Sequence, residues 1–271
     1  MKLLFAALLL FPNWAIESLK WQQITHSLEK ISFARSWKSV WTGVCIGNVS
    51  PGRSGEFAGR IIFFSPNVRA KAAALHFVSG LTQLAITIIM GCIGVTFTLN
   101  HLLPEMRVLF ISVSLLSLAI VAYLLININS ALNWIGKRKW LKRFNLKDLI
   151  IEPSLLRKLL FYSLIRYFIF SFQYYLLLLA CNVHGPTIEI LSEISVMYLL
   201  LSIIPMISFI EIGVRAFISV SLFNSFGAGE WELATSGILL WLLNIALPSM
   251  IGYLFLITNK ISFSQTENDL A

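Results

Sequence analysis

The sequence predicts an all-α, polytopic integral membrane helix bundle, and three observations predict it. Apolar residues make up 57% of the 271 positions and charged residues only 13%, with a mean hydropathy of +0.79, whereas soluble domains are about 25% charged. Apolar runs of at least about 18 residues, the length that crosses a bilayer, recur through most of the chain. Two short polar inserts, 50–60 (SPGRSGEFAGR) and 205–217 (PMISFIEIGVRAF), then interrupt apolar stretches, each with Pro, Gly, Glu and Arg. They read as half-broken or re-entrant segments in corresponding parts of two halves, a pattern that leaves an inverted repeat open. The spans leave no room for a soluble domain, so residues 1–271 read as one transmembrane domain.

The elements follow in order. Leu3–Ile16 reads as a short membrane helix, since no small-residue cleavage site follows before Asn13-Trp14. A polar connection with Glu17, Lys20, His26, Glu29 and Lys30 comes next. Phe33–Val49 carries Arg35, Lys38, Asn48 and several hydroxyls, and reads as a re-entrant helix leading into the first insert. Ala72–Leu99 is long enough to cross, with His76, Gly80, Gln83 and Thr87 recurring every three or four residues as one polar stripe. That stripe faces the bundle interior, either lining a cavity or bonding between helices. Gly91 and Gly94 offer a close-packing site.

Val108–Ile128 is a more uniformly apolar span broken at Asn127 and Asn129. Leu159–Ala180 is another span, with Tyr162, Arg166 and Gln173 on one face, and Arg166 close enough to its start to snorkel. Residues 190–226 form a broken span around the second insert, and 238–258 is the last crossing, after an acidic GAGEWE turn.

Orientation follows from charge. The loop 130–158 holds eight Lys or Arg, including Lys137, Arg138, Lys139, Lys142, Arg143 and Lys147, against Asp148 and Glu152. By the positive-inside rule this loop is cytoplasmic, and alternation of the spans puts Lys260 and the C-terminal tail on the same side. The net charge of +8 therefore reads as a lipid-facing loop rather than as a nucleic-acid surface. Cys45, Cys92 and Cys181 lie far apart and only four His accompany them, which indicates neither a disulfide framework nor a metal site, and no cofactor is expected.

A Glu or Arg at membrane depth costs about 2.5 to 3.5 kcal/mol on insertion scales and faces a cavity or a partner. Arg53, Arg60 and the amides of a helix restarting after Pro51-Gly52 favour an anionic group, while Glu56 balances an Arg or holds an amine. Glu211 and Arg215 stand four apart and form a ladder pair on a helix. The plainer alternative makes both pairs interfacial salt bridges that anchor helix ends. These five residues are the candidate binding set, with His76, Gln83 and Arg166 as candidate cavity lining. No nucleophile motif, nucleotide loop or metal spacing marks a catalytic residue: GRSGE is not GxSxG.

Asn13-Trp14, Glu17, Lys20-Trp21, SPGRSGEFAGR at 50–60 and the IGVRA core of 205–217 resemble the flippase-like transmembrane region of the lysylphosphatidylglycerol synthase family. The first insert is close to that family's Pro-Gly-Arg-x-Gly-Glu pattern, whereas Ser208, Phe209 and Ile210 replace the small residues usual in the second. The resemblance implies a multi-pass protein of the bacterial inner membrane that moves a lipid between leaflets, and a further helix ahead of Met1. The soluble aminoacyl-transfer domain of two-domain members is not found in the residues up to Ala271, so synthase activity is not carried over. The leading expectation is a lipid flippase or transporter for a lipid with an anionic headgroup. Two alternatives stand beside it: a membrane enzyme acting on a lipid-linked substrate, with Glu56 or His76 as general base, and a non-catalytic partner of an envelope or lipid biosynthesis enzyme.

Overall fold

In the computed structural model, residues 1–98, 104–138, 146, 149–203 and 208–258 are described, and their regular structure is helical. The helices are α1 (Lys2–Leu8), α2 (Leu10–Thr25), α3 (Phe33–Asn48), α4 (Glu56–Ile61), α5 (Arg69–Thr98), α6 (Pro104–Ile126), α7 (Ile128–Gly136), α8 (Pro153–Ala180), α9 (Thr187–Ile203), α10 (Ser208–Phe223), α11 (Glu230–Trp241) and α12 (Leu247–Thr258). Among the described residues, Lys2–Thr25, Pro66–Phe97, Pro153–Ala180 and Glu230–Thr258 are each long and apolar enough to cross a membrane. The α6–α7 pair qualifies as one more, bent by 72° at its break. Lys139, Lys142, Arg143, Lys147, Pro205, Lys260 and the C-terminal tail lie outside the described residues, as do residues 99–103.

Several boundaries differ from the sequence expectation: α8 begins at Pro153 rather than Leu159, the start of the expected loop 130–158 is helical to Gly136, and two further differences are larger. The first helix does not stop at Ile16: α2 runs to Thr25, and Glu17 and Lys20 are buried within it at 5% and 1% exposure. Their charges lowered the apparent hydropathy because composition does not reveal that partners on other helices satisfy them. The last crossing begins at Glu230 rather than Ile238. Gly227, at φ +79°, turns the chain, and Glu230 and Glu232 then occupy the first helical turn, where carboxylates complement the helix dipole. This span passes through a π-helical turn, Leu242–Ala246, before α12, a widening that often accompanies functional sites.

α3 is a full helix capped by Ser32, whose hydroxyl accepts from the Arg35 amide at 3.2 Å. Its hydroxyls explain its weak hydropathy, because they face inward. Ser36 donates to the Ser18 carbonyl at 2.6 Å, and Ser39 accepts from the Trp21 indole at 3.0 Å while donating to the Arg60 carbonyl at 2.8 Å. After the Pro51–Arg53 turn, α4 folds back onto α3, the hairpin shape expected of a re-entrant segment. The contact depends on glycine. A Cβ on Gly59 would come within 2.7 Å of the Gly43 Cα and of the Thr42 carbonyl, and one on Gly43 would meet Arg60 Cγ at 2.6 Å.

The remaining packing places walls around this hairpin. α5 packs most closely on α9, where Gly91 meets Leu199 and Gly94 meets Ser192 and Ser195, as the close-packing reading expected. α12 lies against α3 through Gly252 and Trp41, and α11 lies against α10 where Gly237 meets the Arg215 backbone. Outside the spans, Glu29 accepts from the Ser65 amide at 3.1 Å and hydroxyl at 3.0 Å and pairs with Arg35 at 2.9 Å. The Ser65 amide, more than the ion pair, holds the Glu29 carboxyl below its usual range.

Candidate functional site

Five charged side chains alternate in sign across the bundle. Arg166 Nη1 lies 3.1 Å from Glu17 Oε2, and Glu17 Oε1 lies 2.8 Å from Arg60 Nη2. That same Arg60 nitrogen lies 2.6 Å from Glu56 Oε1, and Glu56 Oε2 lies 3.1 Å from Arg53 Nη2. The chain of pairs thus links α8, α2, α4 and the Pro51–Arg53 turn. Lys20, one turn beyond Glu17 on α2, donates from Nζ to the Ser79 carbonyl at 2.8 Å. Two indoles support the arginines: Arg60 lies over Trp21 at 5.4 Å and Arg166 over Trp14 at 5.3 Å.

These groups line a cavity of about 350 Å³, whose walls also include His76, Ser79, Gly80, Gln83 and Thr87 of α5. Lys20, Arg53, Arg60 and Arg166 face two carboxylates, Glu17 and Glu56, so basic side chains outnumber acidic ones on the walls. Arg60 is 2% exposed, yet its Nε and Nη1 have no hydrogen-bond partner. A buried donor left unpaired costs free energy comparable to a lost hydrogen bond, more when charged. The arrangement accommodates an anion with several acceptor oxygens.

A second cavity of about 170 Å³ adjoins the first, with Trp14, Arg53 and Arg166 lining both. Its further walls include Asn13, Tyr198, Arg215 and Asn244. Asn13 links the two polar systems: its Oδ1 accepts from Arg166 Nε at 3.1 Å and its Nδ2 donates to Asn244 Oδ1 at 3.0 Å. Asn244, on the π-helical turn, donates onward to Gln173 Oε1 at 2.9 Å. The wider turn therefore carries a hydrogen-bonded extension of the charged chain.

The two inserts meet. Arg53 from the first and Arg215 from the second line the same cavity, and the Pro51–Arg53 turn packs on α10. Glu211, 8% exposed, holds Arg215 through Nε at 2.9 Å but lines neither of the two cavities, so it orients a wall residue. His76 and Gln83 line the larger cavity, and Gln83 Nε2 also reaches the Ser163 carbonyl at 3.4 Å.

Two expectations are corrected. Arg166 does not snorkel: it sits midway along α8, 18% exposed, and is held by Glu17 and Asn13. The Glu56–Arg60 and Glu211–Arg215 pairs are largely buried, and Arg60 and Arg215 line the cavities. The amides that follow Pro51-Gly52 are not left free for a ligand: α4 has only six residues, and the amides of Arg53, Ser54 and Gly55 bond to Ser50 O, Pro51 O and Ser50 Oγ. Side-chain guanidinium groups supply the positive field instead.

Sequence reasoning passed over Asn13, Glu17 and Lys20 as site residues. Their spacing of four and three puts them on one helical face, a signal masked by reading that stretch as a connection. It also passed over the paired Gly43-x-x-x-Gly47 and Gly55-x-x-x-Gly59 motifs, which bring α3 and α4 together.

The family model for the lysylphosphatidylglycerol synthase TM region matches residues 1–252. The chain belongs to that family. It is a multi-pass membrane protein of a family associated with lipid metabolism or transport. No curated protein sequence matches it. The Arg-Glu chain on α2, α4 and α8 lies wholly within the matched residues.

Arg53 has one further property. Its backbone lies at φ +56°, next to Gly52 at φ +57°. A non-glycine residue in this left-handed region costs about 1 kcal/mol, and such strain concentrates at functional positions. The conformation places the Arg53 guanidinium between the two cavities.

Proposed function

We propose that this protein moves a lipid with an anionic headgroup between the leaflets of the bacterial inner membrane, with the headgroup held in the arginine-lined cavity. The observation that carries the reading is the alternating chain Arg166, Glu17, Arg60, Glu56 and Arg53 on the wall of one cavity whose basic side chains outnumber its carboxylates. Arg53, Arg60, Arg166 and Lys20 would bind phosphate oxygens, and Glu17 and Glu56 would orient the arginines. Both oxygens of Glu56 are already held by guanidinium groups, which favours positioning over a general-base role and so favours transport over lipid chemistry.

Flipping of a fluorescent phosphatidylglycerol in proteoliposomes tests this reading. Arg53→Lys keeps the charge but loses the planar fork that bonds two oxygens at once. It is expected to be impaired nearly as much as Arg53→Ala, with rates at least tenfold below wild type. Arg53→Gly relieves the positive φ but removes the Glu56 partner, so it should be more stable than Arg53→Ala while remaining inactive. Full activity of Arg53→Ala at normal abundance would remove Arg53 from the site.

The orientation belongs to the same proposal. The eight bases of 130–158 support a cytoplasmic side for that loop and for the C-terminal tail. A cysteine introduced at Ser130 should resist a membrane-impermeant maleimide added to intact cells and react after permeabilisation. Efficient labelling from outside would reverse the topology.

A further inference from the structure

α5 shows two faces. His76, Ser79, Gly80 and Gln83 border the polar cavity, whereas Ala70, Ala73, Ala74, Phe77, Val78 and Leu81 border an apolar groove of about 820 Å³. The groove exists because alanines recur at i, i+3 and i+4 where larger side chains would fill it, and because the 72° bend between α6 and α7 brings Ile128, Leu132 and Ile135 over it. Phe57 and Ile61 of α4 complete the wall.

Charge enters this lining at one end. Arg69, the first residue of α5, borders the groove, and its Nε donates to the Phe64 carbonyl at 3.0 Å. Beyond Gly136, the last residue of α7, come Lys137 and Arg138, with Arg138 stacked on Trp134 at 4.3 Å. From Arg69 to Leu81 the groove runs about 18 Å along the helix, at 1.5 Å per residue. One leaflet of hydrocarbon is about 15 Å thick, half of the 30 Å core. A basic end and an apolar trough of leaflet depth match a lipid standing in its ordinary orientation.

We propose that the groove is a docking site for one anionic glycerophospholipid of the leaflet beside the basic loop. Its phosphate lies at Arg69 and an acyl chain lies along Ala70 to Leu81. Between lipid and protein in a bilayer there is no hydrophobic driving force, so the groove supplies shape and Arg69 supplies headgroup preference. The inner part of the groove reaches the Phe57–Phe77 ring pair, with centroids 5.9 Å apart. The neighbours of these rings, Glu56 and His76, line the polar cavity. The docked lipid therefore stands beside the arginine cavity without occupying it, and the site is independent of what that cavity carries.

Site-specific photocrosslinking tests the assignment. The full-length protein, with p-benzoylphenylalanine at Ile135, is placed in vesicles of dioleoylphosphatidylglycerol or of dioleoylphosphatidylcholine, and lipid adducts are quantified by mass spectrometry. At least a tenfold excess of phosphatidylglycerol adduct is expected. Ala74→Trp, and the milder Ala73→Phe should the first not fold, fill the trough and should lower that adduct at least fivefold. Arg69→Gln should reduce the preference for phosphatidylglycerol to below threefold. Arg53→Ala in the polar cavity should leave the adduct unchanged. Equal yields from the two lipids, or undiminished yields after the trough is filled, would identify ordinary annular lipid and overturn the site. Loss of the adduct in Arg53→Ala would place the bound lipid in the polar cavity and overturn it equally.

Discussion

Replacing Arg60 by methionine is expected to destabilise the folded protein by about 3 to 5 kcal/mol, because the change leaves two buried carboxylates without their shared cation. Arg60 is the centre of the alternating chain: Glu17 and Glu56 both contact its Nη2, at 2.8 and 2.6 Å. With the guanidinium removed, Glu17 keeps only Arg166 and Glu56 keeps only Arg53. Abundance in the membrane should therefore fall sharply. The triple variant Glu17→Gln, Glu56→Gln, Arg60→Met separates stability from function, since replacing a whole buried ionic group by neutral residues is often neutral or stabilising. It should recover near-normal abundance and thermal stability while lipid flipping stays absent. Recovery of flipping in that variant would show that the cluster serves folding alone.

The second large effect is expected at Gly59. Gly59→Ala forces its methyl to within 2.7 Å of the Gly43 Cα and of the Thr42 carbonyl, both backbone atoms that no rotamer change can move. Relief requires α4 to lift from α3, at a cost of about 1 to 3 kcal/mol by the usual scale of overpacking. The displacement carries Glu56 and Arg60 with it, because both stand on the same six-residue helix. Flipping should fall at least tenfold, even in the fraction that folds. Gly80→Ala is the control: a Cβ at Gly80 meets nothing within 4 Å, so its thermal stability should remain near wild type. Wild-type flipping by Gly59→Ala would mean that the α3–α4 contact does not set the geometry of the cavity.

Much of the architecture was legible in the sequence. The long apolar runs of α5, α6 and α8 have no folded alternative that hides so much apolar surface from water, so composition and length are enough to place them. The break at Asn127 and the close contacts at Gly91 and Gly94 were readable for the same local reason: each depends on residue types that interrupt or narrow a helix. The α2 boundary was not, because hydropathy counts Glu17 and Lys20 as solvated whether or not Arg60, Arg166 and Ser79 lie beside them.

The sequence by itself determined the helical class, the main spans and the residues able to carry positive charge into a cavity. Those properties follow from side-chain chemistry and helical periodicity, which act over a few residues. Only the tertiary structure decided that Glu17 and Arg166, separated by most of the chain, join Glu56 and Arg60 in one network, and that side chains rather than helix-end amides face the cavity. The physical reason is that an ion pair depends on distance in space: the energy of a buried charge is fixed by neighbours a few ångströms away on other helices, which no local pattern specifies.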